Sequence, residues 1–299
     1  MIQRAHFVTD KEEIIHLWQQ CFDDSRDYVE FFLKESPKQN ALFLYRNDKA
    51  EAVGMMLLMP GRIVAEGIMR KAYYLYALCV DERFRGRGIA EELLGFAKKS
   101  AKDENAELCL VPSSEKLRRY YAKRGFIDAF ARTEQELDVN KTEMYAGKLK
   151  TEEPDTGLLL QTRTEVYNDN AFLWEKDNLE FAIKEHVFSG GFAFHVSEEG
   201  KNVKENALEL AYCNGVPYII GSVDENVLQI RETNLRLPVI YKLAAEYNCE
   251  KIVFLNIREA FENMSVRTSP YAMFADTAFV EKFVKSITFD KRYINFCFD

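Results

Sequence analysis

In the segment Tyr73–Phe126 the spacing of hydrophobic residues is first that of a strand and then that of a helix, and this sequence of strand and helix occurs twice. It opens with AYYLYALCV, a continuous apolar and aromatic run ending at Val80 that predicts a buried strand. A polar turn follows, and apolar residues then recur at every fourth position over Ile89–Ala97, which predicts an amphipathic helix. A short strand near 107–111 and a helix that ends near Gly125 complete a unit of strand, turn, helix, strand and helix.

The chain before this unit has the pattern of two helices and several strands. A stripe at helical spacing predicts a helix over Lys11–Phe22 with Asp10 as its cap, and a second helix covers Asp27–Lys34. The predicted strands are Ala5–Val8, Ala41–Arg46 and Ala52–Met59, the last continuing as a hairpin toward Gly67. Simple alternation in the central strand puts one set of side chains on one face (Tyr74, Tyr76, Leu78 and Val80) and the other set on the opposite face (Tyr73, Leu75, Ala77 and Cys79).

A polar, charged stretch near the middle of the chain, DVNKTEMYAGKLKTEEPDTG, has no apolar period and contains Pro154. It is typical of a linker and predicts two domains, 1–148 and 156–299. The predicted strands of the second domain are Leu158–Gln161, Gly191–Ser197, Ala207–Cys213, Pro217–Val223, Val227–Arg231, Lys251–Ile257 and Tyr293–Phe298. Its predicted helices are Asn170–His186, Arg236–Tyr247 and Asp276–Lys285. The expected fold class is α+β, with a mixed sheet flanked by helices in each half.

Composition narrows the environment and the partners. The chain has 299 residues, 47% of them hydrophobic, and a formal net charge of −8, which argues against nucleic acid as the main partner. No run approaches the roughly 20 apolar residues of a membrane span, and the first residues lack a signal-peptide core, so we expect a cytoplasmic protein with no membrane contact. Six scattered cysteines without C-x-x-C spacing predict reduced thiols and no metal site.

The turn after Val80 carries the chemistry that the sequence shows most clearly. Glycine tolerates positive φ and has no Cβ, so Arg83-x-x-Gly86-x-Gly88 lets successive backbone N–H groups converge on a ligand. The turn opens onto a helix N-terminus, whose free donors and dipole favour a diphosphate. Arg85 and Arg87 add positive charge with Arg83. A surface turn rich in glycine and arginine without a ligand is the alternative interpretation of the motif taken alone.

The order of strand, R-x-x-G-x-G, helix, strand and Tyr121-Ala122-Lys123-Arg124-Gly125-Phe126 is more specific, and it resembles the GNAT superfamily of N-acetyltransferases. The resemblance covers roughly residues 1–145. It implies a GNAT-like mixed sheet, acetyl-CoA as cosubstrate and a small-molecule or peptide primary amine as acceptor. The repeated order of elements in the second half then favours a tandem duplication. The second copy would be degenerate, because Arg231–Arg236 stands at the position of the glycine turn and contains no glycine. The alternative is an unrelated α+β helper domain.

The resemblance also implies roles for individual residues. Tyr121 matches the general acid that meets the departing thiolate, and the backbone N–H of Val80 matches the oxyanion donor. The end of the central strand would pair with the pantetheine arm and the turn would hold the diphosphate. The implied cofactor-binding residues are Leu78, Cys79, Val80, Arg83, Arg85, Gly86, Arg87, Gly88, Ile89 and Ala90.

The general base stays open at this level, because the central strand contains no carboxylate. The alternatives are a water held by Ser113 or Ser114, one of the carboxylates Asp23 and Asp24, the terminal carboxylate at Asp299, or no base. The wall of the acceptor site is expected from the first two helices, with Phe22, Tyr28, Phe31 and Phe32 as candidates. Two functions remain: a direct-transfer N-acetyltransferase, or a catalytically silent acyl-CoA binder that signals through its second domain.

Overall fold

The computed structural model describes residues 1–167, 170–205, 207–255, 266–286 and 293–294. The strands of the first half are β1 (Ile2–Arg4), β2 (Ala41–Arg46), β3 (Ala52–Ala65), β4 (Ile68–Val80), β5 (Glu107–Leu110) and β6 (Phe126–Asp138). Its α-helices are α1 (Lys11–Phe22), α2 (Arg26–Glu35), α3 (Ile89–Asp103) and α4 (Glu115–Ala122). The strand predicted at Ala5–Val8 is wrong: the first strand lies earlier, and residues 7–9 form the turn that leads into α1.

The described strands of the second half are β7 (Leu149–Glu152), β8 (Ala171–Trp174), β9 (Phe192–Glu198), β10 (Tyr218–Asp224), β11 (Val227–Thr233), β12 (Lys251–Leu255), β13 (Arg267–Ala275) and β14 (Tyr293–Ile294). The helices are α5 (Thr156–Val166), α6 (Lys176–Phe188), α7 (Ala207–Leu210), α8 (Leu237–Glu246) and α9 (Ala278–Ser286). Two predicted strands, Leu158–Gln161 and Ala207–Cys213, are wrong because both segments contain helix. Asp155 caps α5, its carboxylate accepting a hydrogen bond from the backbone N–H of Leu158 at 2.9 Å, so the short apolar run continues as helix.

The two halves build their sheets with the same pairing pattern. β1, β2, β3 and β4 are antiparallel neighbours and β5 joins β4 in parallel, with α3 as the crossover. In the second half β7, β9, β10 and β11 are antiparallel neighbours, and β12 joins β11 in parallel through α8. The mixed α/β class is therefore confirmed. The division at 148 and 156 stays a prediction, because β7 lies between those limits and both halves share one sheet.

A reciprocal exchange of strands joins the halves. The order across the junction is β5-β13-β6-β12, so the second half places β13 beside β5 and the first half places β6 beside β12. All three contacts are antiparallel, and β6 and β13 pair from Arg267 opposite Glu134 to Ala275 opposite Phe126. The sequence patterns predict neither β13 nor this exchange. Removal of the second half would expose one edge of β5 and both edges of β6.

Helices cover both faces of the first sheet. α1 and α2 pack on one face around Trp18, Phe32 and Met55, whereas α3 and α4 pack on the other around Leu93, Leu108 and Phe126. A third core lies between α8 and the second sheet. Among the described residues, no helix combines the length and apolar character that a membrane crossing needs. The sheet ends and loops between these cores form the candidate site.

Candidate active site

A β-bulge near the end of β4 directs the side chains of the central strand. The pairing register with β3 shifts so that Met56 alone faces Ala77 and Leu78. Ala77 has φ +50°, a left-handed conformation that the surrounding core must hold in place. After the bulge, Ala77 and Cys79 turn toward α1, while Leu78 and Val80 turn toward α3. The simple alternation predicted for this strand is therefore wrong beyond Tyr76.

The same strand has an open edge. β4 pairs with β5 only through Ala72, Tyr73 and Tyr74. Within the part of the chain that the structure describes, the edge that continues from Leu75 to Val80 has no neighbouring strand on this side. Such an edge can bind an extended ligand through its backbone groups. The predicted pantetheine-binding residues, Leu78, Cys79 and Val80, all lie on it.

The glycine turn leaves this edge directly and ends at the N-terminus of α3. A one-turn 3-10 helix at Glu82–Phe84 follows Val80, and Gly86 and Gly88 then adopt φ values of +76° and +83°. A Cβ added at either glycine would meet no atom within 4 Å, so the turn is open to solvent. Gly88 is the N-cap of α3 and has no side chain to satisfy the helix donors. An anion is the group that these features suit.

The three arginines of the turn are not equivalent. Arg83 donates hydrogen bonds to the buried carboxylate of Asp81, one of them at 2.6 Å from its Nη2. These bonds lower the pKa of Asp81 to about 2. Arg85 donates from Nε to the carbonyl oxygen of Val80, whereas Arg87 lies over the ring of Phe84. Arg83 therefore shapes the turn and its charge is already balanced, so Arg85 and Arg87 supply the net positive charge.

A cleft of about 1020 Å³ opens where β4 and β5 separate. Its floor is the open part of β4, and one wall is the C-terminal end of α1 with the residues that follow it. The opposite wall contains α4 together with the paired strands β6 and β13. Leu78 lines the cleft, but the glycine turn does not, because it lies beyond the end of the strand. Both halves of the chain therefore contribute to this cavity.

Tyr121 reaches the cleft from α4. Its ring packs edge-on against Tyr120 and Phe126, and the side chain is largely buried. Burial, with a smaller effect of Tyr120, raises the pKa of Tyr121 to about 12. The phenol is therefore neutral at physiological pH and can donate a hydrogen bond into the cleft. Tyr120 does not line the cleft, and the guanidinium of Arg124 lies 3.5 Å from the centre of its ring.

Comparison with known proteins identifies the first half. Residues 11–145 match the family model described as an acetyltransferase (GNAT) domain. This half of the chain is a GNAT domain. Members of this family are acyltransferases and typically use acyl-CoA. A search of curated protein sequences finds no significant match.

Solved GNAT structures share the fold of nearly the whole chain. A GCN5-related N-acetyltransferase from Anabaena variabilis aligns with a TM-score of 0.70 and 14% identity, over 92% of this chain and 72% of that one. A probable N-acyltransferase from Enterococcus faecalis aligns with a TM-score of 0.65, 14% identity and the same coverage. A tandem GNAT protein from the clavulanic acid biosynthesis pathway has a TM-score of 0.52 and 14% identity, over 92% of this chain and 98% of that one. These matches confirm the tandem GNAT fold.

The second half has a closed counterpart of the glycine turn. At Arg231–Arg236 the side chains fold inward: the Asn234 amide accepts from the backbone N–H of Tyr218 and donates to the carbonyl of Val216. Beside it, Arg163 and Glu232 form a fully buried ion pair with Nε–Oε1 at 2.7 Å. The backbone here has no positive-φ glycine. The features that suit an anion in the glycine turn of the first half do not recur at Arg231–Arg236.

The α1 wall of the GNAT cleft is acidic. Asp23 and Asp24 line it, and Asp24 accepts a hydrogen bond from Trp18 Nε1 at 2.7 Å. Of the two serines predicted to hold a water, Ser113 lines the cleft, whereas Ser114 caps α4 by accepting from Leu117 N–H at 3.3 Å. Asp299 lies outside the described residues. The general base stays undecided between the remaining alternatives.

Of the four aromatic residues predicted for the acceptor wall, only one lines the cleft. Phe22 lines the cleft and is partly exposed. Phe31 stacks on Phe188 of α6 with ring centroids 4.1 Å apart, and Phe32 is buried edge-on against Phe181 of α6. Tyr28 donates a hydrogen bond to Glu185 of α6 at 3.2 Å. Apart from Phe22, these residues attach the first half to the second.

Two thiols meet between α1 and β4. Cys21 lines the cleft, and its sulfur lies 3.7 Å from the carbonyl oxygen of Val80. A hydrogen bond from Cys79 and the nearby guanidinium of Arg85 lower the pKa of Cys21 to about 7. Burial raises the pKa of Cys79 well above its ordinary value. The five described cysteines are thiols, and Cys297 lies outside the described residues. No cluster of His, Cys, Asp and Glu suited to a metal ion occurs in the described part of the chain.

We expect Cys21 to react with iodoacetamide with half-maximal rate near pH 7, since the thiolate is the reactive form. Replacing Cys79 by alanine removes the hydrogen-bond donor and should move this midpoint upward by about one pH unit. Peptide mass mapping of labelling rate against pH measures the shift. Cys213, also half-buried, is the internal reference. A Cys21 midpoint near pH 9 in the unmodified chain would contradict this assignment.

Proposed function

We propose that the first half transfers an acetyl group from acetyl-CoA directly to the primary amine of a small molecule bound in the cleft. The observation that carries the proposal is the continuity of β4: its open edge leads straight into the glycine turn and the α3 N-terminus. Tyr121 lies in the cleft above that edge. A thioester held along the edge would have its diphosphate at the turn and its sulfur toward the phenol.

The turn fits a diphosphate in both space and charge. Gly86 and Gly88 leave its outer surface open, and Arg85 and Arg87 are not balanced by Asp81. The first turn of α3 offers unpaired backbone donors and the positive end of its dipole. Ile89 supplies its backbone only, because its side chain is buried in the core under α3. The described part of the second half offers no such surface, so we expect one acetyl-CoA for each chain.

The reaction requires stabilisation of charge on the thioester oxygen and then on the departing sulfur. The backbone N–H of Val80 is assigned to the oxygen and the hydroxyl of Tyr121 to the sulfur. Full ionisation of a phenol with pKa about 12 by a thiolate with an ordinary pKa of about 8.5 is unfavourable by roughly 5 kcal/mol. Tyr121 therefore donates a hydrogen bond to the sulfur as the C–S bond breaks and the C–N bond forms. The phenol passes its proton to the sulfur only as it recovers the proton that the amine nitrogen loses, so no free phenolate forms.

An acceptor screen tests the proposal with the full chain. Free thiol released from acetyl-CoA is followed against a panel of small amines, and calorimetry measures acetyl-CoA binding in parallel. Turnover with at least one amine is expected. Tight acetyl-CoA binding without any acceptor would favour the silent binder, and absence of acetyl-CoA binding would reject both functions.

A further inference from the structure

One cation in the cleft has no charged partner among the described residues. Arg132 lies on β6 directly opposite Ser269 of β13, where this strand pair extends past the end of β5. It lines the cleft and is half-buried. Its guanidinium lies 5.8 Å from the centre of the Tyr271 ring. The structure gives it no ion pair or hydrogen bond with any described residue, although a half-buried guanidinium is stabilised by one.

The neighbouring arginine, in contrast, is bound to partners within the protein. Arg118 of α4 pairs with Asp128 and also donates to the carbonyl oxygens of Pro270 and Tyr271. Arg118 thereby attaches β13 to α4, and its side chain does not line the cleft. Arg132 lies on the same wall, one residue pair beyond Pro270 in the ladder of β6 and β13. It remains available to bind a ligand. Its planar fork matches a carboxylate or phosphate.

The two walls of the cleft have opposite charge. Asp23 and Asp24 lie on the α1 side and favour the amine of an acceptor, while Arg132 and the hydroxyl of Ser269 lie on the strand side. A simple cationic amine would leave Arg132 unpaired and would place positive charge near it. An acceptor with both an amine and an oxyanion satisfies both walls.

We infer that the acceptor carries an oxyanion, a carboxylate or a phosphate, in addition to its amine, and that Arg132 binds it. The inference rests on the proposed function and specifies its substrate class. Ser269 and Tyr271 belong to the second half, so that half contributes to substrate selection through β13. Arg132 is a specificity-determining residue and takes no part in the acyl transfer itself.

Matched pairs of acceptors separate the two sources of the oxyanion. One arm compares the twenty amino acids with their carboxamides, and the other compares amino-sugar phosphates and phosphoethanolamine with the unphosphorylated amines. We expect kcat/KM in one arm to be at least tenfold higher for the anionic member. Arg132→Gln should lower that preference about tenfold, mainly through KM of the acceptor, because it removes the charge-assisted hydrogen bonds to the oxyanion.

The control is Arg267→Gln, which removes an exposed arginine from β13 outside the cleft and should leave the preference unchanged. KM for acetyl-CoA should be the same in all three proteins. An unchanged preference in Arg132→Gln, or a raised KM for acetyl-CoA, would overturn the inference, the latter by assigning Arg132 to the cofactor. Acetylation of neutral amines alone would also overturn it. Acetyl-CoA binding without acetylation of any amine in either arm, or absence of acetyl-CoA binding by the unmodified chain, would instead reject the proposed function and the inference with it.

Discussion

Replacing Gly86 by aspartate is expected to weaken acetyl-CoA binding by about 100-fold. Gly86 has φ +76° and lies where the turn meets the N-terminus of α3. The new carboxylate would repel the diphosphate and compete for the same backbone donors. Losing one or two charge-assisted hydrogen bonds costs about 1.5–3 kcal/mol each, and every 1.4 kcal/mol is a factor of ten in the dissociation constant. Isothermal titration calorimetry on the full chain measures the change.

Two further variants separate charge from backbone strain. Gly86→Ala introduces the same positive-φ strain without the charge, and a Cβ there meets no atom within 4 Å. Gly67→Asp adds the same charge and strain at φ +70° in the β3–β4 turn, outside the proposed site. We expect Gly67→Asp to bind acetyl-CoA normally and Gly86→Ala to be intermediate. Equal dissociation constants for Gly86→Asp and the unmodified chain would exclude the turn as the diphosphate site.

Stoichiometry in the same titrations tests the second half. The turn at Arg231–Arg236 is closed by Asn234 and its neighbours, so one acetyl-CoA should bind each chain. A ratio of two acetyl-CoA per unmodified chain that falls to one in Gly86→Asp would show that the second half also holds a nucleotide.

Local patterns were sufficient to predict the glycine turn and the helices around it. The apolar run that ends at Val80 and the apolar residues at every fourth position from Ile89 each depend on residues close together in the sequence. The same holds for α1 and α4, whose apolar faces each lie within one segment. Asp10 is the N-cap residue of α1, but its carboxylate accepts from the backbone N–H of His6 and makes no capping hydrogen bond with the helix. Tyr121 could be assigned to the cleft because its position on α4 follows from that local spacing together with the family resemblance.

Features that depend on distant pairing were not predictable. The bulge at Ala77 arises because β3 supplies one residue opposite two on β4, and no alternation along β4 alone indicates it. β13 contains Pro270 and was not recognised as a strand. It is held on both sides by strands from the other half, and these contacts outweigh its weak local signal. Arg132 was missed for the same reason, because only this pairing places it on a cleft wall.

The exchanged strands also give the second half a structural role in the site, although its own counterpart of the glycine turn is closed to a ligand. β13 completes the sheet beside β5 and supplies Ser269 and Tyr271 to the cleft. The first half alone would therefore lack one wall of the cavity, besides exposing strand edges that favour aggregation. The tandem arrangement is thus part of the architecture of the site in the first half.

Replacing Tyr121 by phenylalanine is expected to lower kcat by about 10²–10⁴-fold with a confirmed acceptor, the usual contribution of a group that donates a proton or hydrogen bond in the transition state. The ring contacts with Tyr120 and Phe126 survive the change, so thermal stability and acetyl-CoA affinity should be nearly unaffected. Steady-state kinetics at saturating acetyl-CoA, with free thiol as the readout, measure the loss.

The pH dependence and a neighbouring tyrosine make this test specific. Because the pKa of Tyr121 is raised to about 12, the phenol stays protonated across the pH range of the assay. The ratio of unmodified to variant kcat should therefore be constant from about pH 6 to 9, whereas a group that ionises in that range would change it. Tyr120→Phe removes the same hydroxyl from a residue whose ring lies under Arg124, outside the cleft, and should retain full turnover. A loss below threefold in Tyr121→Phe would mean that solvent protonates the thiolate and that Tyr121 only packs against α4 and β6.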